Sequence, residues 1–134
     1  MTANIFLDTN IVLDFLDDQR LHHENSQRLI RQLTQDNWRI TMSEDMLSTI
    51  FYIRKNPNVV LEFYQYILRH WEIVSYGREL MQEAVNLAQK YAWDLEDTLQ
   101  CLCAKKEDCA IIVTEDKAFV DCGVEILDYK GFLS

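Results

Sequence analysis

Carboxylates that follow short apolar runs are the side chains of this sequence best placed to do chemistry. Asp8 directly follows the run at residues 5–7, and Asp116 stands two residues after the run at 111–114. If both runs are parallel strands of one sheet, their carboxyl ends meet at the edge where open α/β sheets bind ligands. Carboxylates gathered at such an edge suit hard cations such as Mg²⁺ and Mn²⁺.

A third acidic group, Asp94, Glu96 and Asp97, lies at the start of a predicted helix. At 100° per residue, Asp94 and Asp97 lie about 60° apart and share a face, whereas Glu96 lies about 100° from Asp97 and is predicted to point elsewhere. Each acid also has a structural alternative. Asp8 and Asp94 are placed to cap helices, and Asp116 to begin a turn.

The elements that would position these acids alternate along the chain. Apolar runs predict strands over residues 3–7, 39–42, 72–75, 110–114 and 124–127. Amphipathic spacing predicts helices after Asp8, over residues 22–34, after an N-cap at Ser43, from Pro57, after Gly77 and from Asp94. Parallel strands need crossovers, which the helices supply. The expected fold class is therefore α/β, with a mostly parallel central sheet flanked by helices.

Length and composition limit the alternatives. A chain of 134 residues suits one domain over residues 1–134, and 49% hydrophobic with 26% charged residues excludes a disordered or fibrous chain. The net charge of −9 disfavours a protein that grips nucleic acid through a broad basic stripe. No apolar run reaches the roughly 18 residues of a membrane span, and no membrane role is expected.

The four cysteines, at positions 101, 103, 109 and 122, have a spacing that is not a zinc knuckle. No signal sequence is evident, so the expectation is a cytoplasmic protein with four free, structural thiols.

Three segments together resemble the successive motifs of PIN domains. They are IFLDTNIVLD at residues 5–14, DLEDTLQ at 94–100 and IIVTEDKAF at 111–119. PIN domains are metal-dependent nucleases with a three-layer, Rossmann-like parallel sheet, and many small bacterial ones are VapC-type toxins of toxin–antitoxin pairs. The resemblance therefore implies hydrolysis of RNA with Mg²⁺ or Mn²⁺.

The resemblance also implies residue roles. The catalytic, metal-holding acids match Asp8, Asp97 and Asp116, and Asp94 is a further metal carboxylate. Supporting residues match Asn10 beside the first Asp and Thr114 before the last acid, and Glu44 is a further supporting candidate.

One motif departs from the family pattern. PIN nucleases usually carry a Glu in the helix after the second strand, and the corresponding residue here is Thr49. Glu44 and Asp45 stand about a turn too early. A few PIN subgroups that also carry an aromatic pair like Phe51 and Tyr52, with a later DxED motif, lack the same Glu.

The resemblance implies an RNA substrate, a cognate antitoxin as a possible partner, and a homodimer. RNA contacts are expected from local basic residues: Arg54, Lys55, Lys105, Lys106 and Lys117. The alternative is a catalytically weak PIN fold that acts as an RNA- or protein-binding module. A haloacid-dehalogenase-type phosphatase is disfavoured because Asn10 stands where its second Asp belongs. A receiver domain is disfavoured because the run at 72–75 ends without an acceptor Asp.

Overall fold

Five parallel strands form the sheet of this protein, in a computed structural model that describes residues 3–134. The strands are β1 (Asn4–Leu7), β2 (Arg39–Ser43), β3 (Glu72–Val74), β4 (Cys109–Val113) and β5 (Glu125–Leu127). Their order is β3-β2-β1-β4-β5, and every pairing between them is parallel. The chain winds outward in both directions from β1, so the topological switch lies between β1 and β4. The predicted α/β class is confirmed.

Seven helices connect and flank the strands within the described residues. They are α1 (Thr9–Leu16), α2 (His23–Gln35), α3 (Asp45–Ile53), α4 (Pro57–His70), α5 (Arg78–Tyr91), α6 (Leu95–Lys106) and α7 (Tyr129–Leu133). Capping explains where two of these helices begin or end. The Asn56 side chain accepts the backbone N–H groups of Asn58 and Val59, and Pro57 follows as the first residue of α4. Ala92, in the left-handed conformation at φ 55°, ends α5.

The central strand is apolar on both faces. Ile5, Phe6 and Leu7 are fully buried, as are Ile112 and Val113 of the adjacent β4. A strand covered by helices on both sides has no solvent face, which explains continuous apolar runs in place of alternation. These two strands form the rigid base from which Asp8 and the segment after Val113 emerge.

One predicted helix start is shifted in the structure, and one helix was not predicted. Ser43 is the last residue of β2 and not an N-cap; Glu44 occupies the cap position and α3 begins at Asp45. The short helix α7 was not predicted. Its five residues are too few for a periodic apolar pattern, and its start depends on the Asp128 side chain accepting the N–H of Gly131.

The prediction of four free thiols is wrong. Cys101 on α6 and Cys122 in the segment before β5 form a disulfide, with their Cα atoms 6.1 Å apart. Only Cys103 and Cys109 are free, and both are buried. Burial raises the pKa of Cys103 to about 12 and that of Cys109 to about 11, so both thiols stay protonated near neutral pH. The pairing was missed because sequence spacing does not reveal which loops return to a helix.

Among residues 3–134, no helix has both the length and the apolar character needed to span a bilayer.

Candidate active site

Asp8 is the most buried carboxylate of the predicted group. It lies at the carboxyl end of β1 with 7% of its surface exposed. The Thr114 hydroxyl donates to one carboxylate oxygen at 2.6 Å, and the Asn10 N–H lies 3.4 Å from the other. Burial raises the pKa of Asp8, against these hydrogen bonds, and the nearby charge of Asp116 raises it further. Asp8 therefore caps α1 and also faces a second acid.

The end of β4 joins that second acid to Asp8. Thr114 Oγ1 accepts the backbone N–H of Asp116 at 3.1 Å while its own proton goes to Asp8. The Thr114 hydroxyl thus fixes both the Asp8 carboxylate and the backbone of Asp116. Asp116 is exposed, and its Oδ1 accepts the N–H of Ala118 at 2.9 Å. The predicted turn at this point exists, and it holds Asp116 beside Asp8.

The N-terminus of α6 supplies the third position. Asp94 caps the helix by accepting the N–H of Asp97 at 2.9 Å, as its structural alternative predicted. Asp97 itself is half-buried. Burial raises its pKa to about 7, and the charges of Asp94, Asp116, Asp8 and Glu96 raise it in the same direction. Acids from β1, β4 and α6 therefore act on one another at a single edge of the sheet.

The prediction that Glu96 points away is wrong. Its charge acts on Asp97, and its own pKa is raised by partial burial and by Asp45, Asp8 and Asp94. The Gln100 amide, one turn along α6, donates to Glu96 Oε1 at 3.3 Å. The helical-wheel angle describes where a side chain leaves the helix. A long Glu side chain can bend toward a residue four positions on.

Near Thr49, where the family's Glu is absent, the acid that the structure holds in place is not the one that was predicted. Thr49 uses its hydroxyl within the helix, donating to the Asp45 carbonyl oxygen at 3.2 Å. Glu44, predicted as a supporting residue, is exposed and its side chain makes no capping hydrogen bond. Asp45 is the acid that is held in place, because the Tyr76 hydroxyl donates to its Oδ1 at 2.7 Å. Its charge also acts on Glu96, so Asp45 lies nearer the site acids than sequence position suggested.

Asn10 leads to a basic residue that the sequence analysis missed. Its side-chain oxygen accepts from Arg20 Nη2 at 3.2 Å, while Arg20 Nε donates to buried Asp14 at 2.7 Å. Tyr129 donates to the other oxygen of Asp14 at 2.7 Å. A guanidinium is therefore held against Asn10, which stands two residues after Asp8, in a strongly acidic protein. No motif signalled this, since Arg20 lies in the segment between α1 and α2.

The five basic residues expected to contact RNA lie at different places in the fold. Arg54 stacks over the Phe51 ring at 4.0 Å and donates to its carbonyl oxygen, and Lys55 lies 3.5 Å from Asp17. Lys105 donates to the Cys122 carbonyl oxygen at 3.3 Å, which places it at the far end of α6 from the acids. Lys106 and Lys117 are exposed, and Lys117 directly follows Asp116. Lys117 alone among the five adjoins a site acid in sequence.

The carboxylates at this edge are suitable ligands for a divalent cation, but they do not form a complete coordination shell. Within residues 3–134, no three His, Cys, Asp or Glu side chains stand close enough together to form a ready coordination shell. The carboxylates nevertheless raise one another's pKa values, which shows that their charges repel at this edge. A bound cation would relieve that repulsion and invert the local field. An open depression of about 460 Å³ is lined by Thr114 and Asp116 on the side of β5.

Comparison with known proteins identifies the family. The family model described as "PIN domain" matches residues 5–124 of the chain. The curated relative "Ribonuclease VapC1" of Aquifex aeolicus (strain VF5) is 31% identical over 135 residues, spanning 98% of this chain and 94% of that protein. The resemblance noted from the sequence motifs is confirmed.

Solved structures share the fold. The chain is similar to Mycobacterium tuberculosis VapC20, described as a sarcin-ricin loop cleaving toxin, with a TM-score of 0.73, 14% identity, and coverage of 90% of this chain and 95% of that one. For VapBC2 from Rickettsia felis bound to a promoter DNA fragment, the TM-score is 0.66 with 18% identity, covering 93% and 98%. For a toxin–antitoxin complex from Klebsiella pneumoniae, the TM-score is 0.70 with 16% identity, covering 93% and 97%.

Proposed function

The chain belongs to the PIN domain family, and on that basis we propose that it is a Mg²⁺- or Mn²⁺-dependent endoribonuclease. It hydrolyses RNA phosphodiester bonds. The observation that carries this proposal is the link between Asp8 and Asp116, which follow the adjacent parallel strands β1 and β4 and share hydrogen bonds to the Thr114 hydroxyl. Asp97, in the first turn of α6, is the third acid, and its pKa is raised in part by the charges of both.

The cation would be held by Asp8, Asp97 and Asp116, with Asp94 as an additional carboxylate. When bound, it would supply activation of water near neutral pH and neutralisation of charge on the scissile phosphate. The protein's own groups orient the site. Thr114 fixes the Asp8 carboxylate and the Asp116 backbone, and Asp8 itself is buried.

Substitution of the acids tests the proposal. Asp8→Asn and Asp97→Asn each preserve side-chain shape while removing a charge, and each should abolish Mn²⁺-dependent cleavage of a fluorescently labelled RNA. Glu62→Gln, an exposed acid on α4, is the matched control and should cleave as the wild type does. Full activity in either Asn variant, or wild-type cleavage that persists in excess EDTA, would contradict the assignment.

We further propose that the chain is the toxin of a type II toxin–antitoxin pair and acts in the cytoplasm. Support comes from the 31%-identical ribonuclease VapC1 and from the net charge of −9, which suits docking of a basic antitoxin segment. Expression in a bacterial host should arrest growth, and co-expression of the gene immediately upstream should restore it. Normal growth on expression of the active nuclease would contradict the toxin assignment. The homodimer stays a prediction, which light scattering of the purified protein can check.

A second candidate is a catalytically weak PIN fold that binds RNA or protein. The observation in its favour is Thr49, whose hydroxyl is used inside α3 and offers no carboxylate at the usual position. Calorimetric titration with MnCl₂ separates the two candidates. A vestigial site would give no metal binding and no cleavage, whereas the nuclease should show both.

A further inference from the structure

We propose that Glu96 is a further carboxylate of the cation site, in the place of the absent α3 glutamate, and that Gln100 is the residue that positions it. The inference rests on the proposed nuclease function, and it concerns how this chain dispenses with an acid at Thr49. Neither the family motif nor the sequence periodicity assigns Glu96 this role.

Hydrogen bonds of the Gln100 amide place Glu96 at the site. Gln100 Nε2 donates to Glu96 Oε1 at 3.3 Å and to Thr9 Oγ1 at 3.1 Å. Thr9 directly follows Asp8, and it is 91 residues from Gln100 in sequence. One buried amide therefore connects the carboxylate of Glu96 to the end of β1. An exposed acid that only favoured the helix dipole would not need this tertiary anchor.

The remaining atom of the same amide also points to a ligand. Gln100 is 1% exposed, and its Oε1 has no hydrogen-bond partner among the described residues. Rotating the amide by 180° would not relieve this, because the oxygen would then face the carboxylate of Glu96. Buried acceptors are rarely left without a donor. A hydrated cation supplies donors of the right kind, since Mg²⁺ usually keeps several of its waters.

The other acid near this position is less suited to the role. Asp45 is held by the Tyr76 hydroxyl at 2.7 Å, and Tyr76 is buried and also contacts Ser43 Oγ at 3.1 Å. These contacts secure the start of α3 against β2. Glu96, in contrast, is exposed, and the Gln100 amide holds it through its Oε1.

Metal binding to the purified protein, measured by calorimetry with MnCl₂, tests the proposal without relying on activity. Glu96→Gln keeps an acceptor for Gln100 but removes the charge, and we expect Mn²⁺ affinity to fall about 10- to 100-fold. Glu62→Gln, on α4, should bind as the wild type does. Gln100→Met removes the anchor at similar volume, and we expect a loss of about tenfold.

The double variant distinguishes positioning from general structural support. If Gln100 acts through Glu96, the double variant Glu96→Gln/Gln100→Met should bind Mn²⁺ no more weakly than Glu96→Gln alone. Without metal, Glu96→Gln should melt at a higher temperature than the wild type, because one repelling charge is gone, yet gain less stability from added Mn²⁺. A residue with only a structural role would lose stability in both conditions.

The outcomes separate this proposal from the general function. Wild-type binding and cleavage with unchanged Mn²⁺ affinity in Glu96→Gln would overturn the Glu96 assignment and leave the nuclease assignment intact. The Glu96 assignment would also be overturned if Asp45→Asn lost Mn²⁺ binding while Glu96→Gln kept it. A wild type that neither binds Mn²⁺ nor cleaves RNA would overturn both.

Discussion

Breaking the Cys101–Cys122 disulfide is expected to destabilise the protein substantially. The bond closes a segment with a sequence separation of 21 between the two cysteines. In the chain-entropy treatment, a cross-link of that span removes enough freedom from the unfolded chain to contribute about 3 kcal/mol at 25 °C. For a chain of this length, that loss corresponds to a fall in melting temperature of about 10 °C.

The assay compares the melting temperature of the wild type with and without a phosphine reductant, alongside Cys122→Ser. Cys122 is the better position to change because it is half-buried, whereas Cys101 is fully buried on α6. Reduced wild type and Cys122→Ser should melt at nearly the same temperature, and the reductant should not shift the variant further. Titration of the unreduced, denatured protein should detect two thiols, from Cys103 and Cys109.

The same bond has a consequence for the site. It joins α6, which carries Asp97, to the segment that follows Asp116. Reduction should therefore weaken Mn²⁺ binding as well as stability. Four reactive thiols in the unreduced protein, or equal melting temperatures with and without reductant, would refute the reasoning.

Three further predictions concern the charge of Asp97, the hydrogen bond from Tyr129 to Asp14, and the N-cap of α4. The pKa of Asp97 is raised from 3.8 to about 7, so between these pH values the folded state binds more protons than the unfolded chain. The free energy of unfolding without metal should therefore fall as pH rises from about 4 to about 7, and Asp97→Asn should flatten that slope in urea titrations at several pH values; an unchanged slope would contradict the shift. Tyr129→Phe removes the 2.7 Å hydrogen bond to buried Asp14 and should lower the free energy of unfolding, measured by urea denaturation, by about 1–3 kcal/mol. An unchanged free energy of unfolding would show that Arg20 alone satisfies that carboxylate. Asn56→Ala removes the N-cap of α4 and should cost about 1 kcal/mol with no change in Mn²⁺ affinity, whereas a change in affinity would show that α4 is coupled to the site.

The sequence predicted those parts of the site that depend only on connectivity. Asp8 and Asp116 follow parallel strands, and parallel strands end at one edge whatever the loops do. The motif at 94–100 then needed only a helix that begins at the same edge. The predicted strand and helix boundaries were close to the observed ones. For β1, burial on both faces leaves a continuous apolar run that marks the strand in the sequence.

The parts that were missed depend on side-chain reach and on loop paths. Glu96 was assigned by its angle on the helix, but its position is set by a hydrogen bond to Gln100 that spans one helical turn. Cys122 and Arg20 lie in irregular segments, and no periodicity predicts that these return to α6 or to Asn10. A sequence pattern specifies where an element runs and leaves open what a long side chain or a loop will touch.

The capping and metal-binding explanations of the acids are compatible, because each carboxylate has two oxygens with two acceptor positions each. Asp94 uses one oxygen to accept the Asp97 N–H and keeps the other free, while capping fixes its direction. Asp8 accepts one hydrogen bond on each oxygen, from Asn10 and Thr114, and still has further acceptor capacity. The caps therefore preorganise the carboxylates that a cation would need. The hydrogen bonds that first suggested a purely structural role also set the geometry of the charged site.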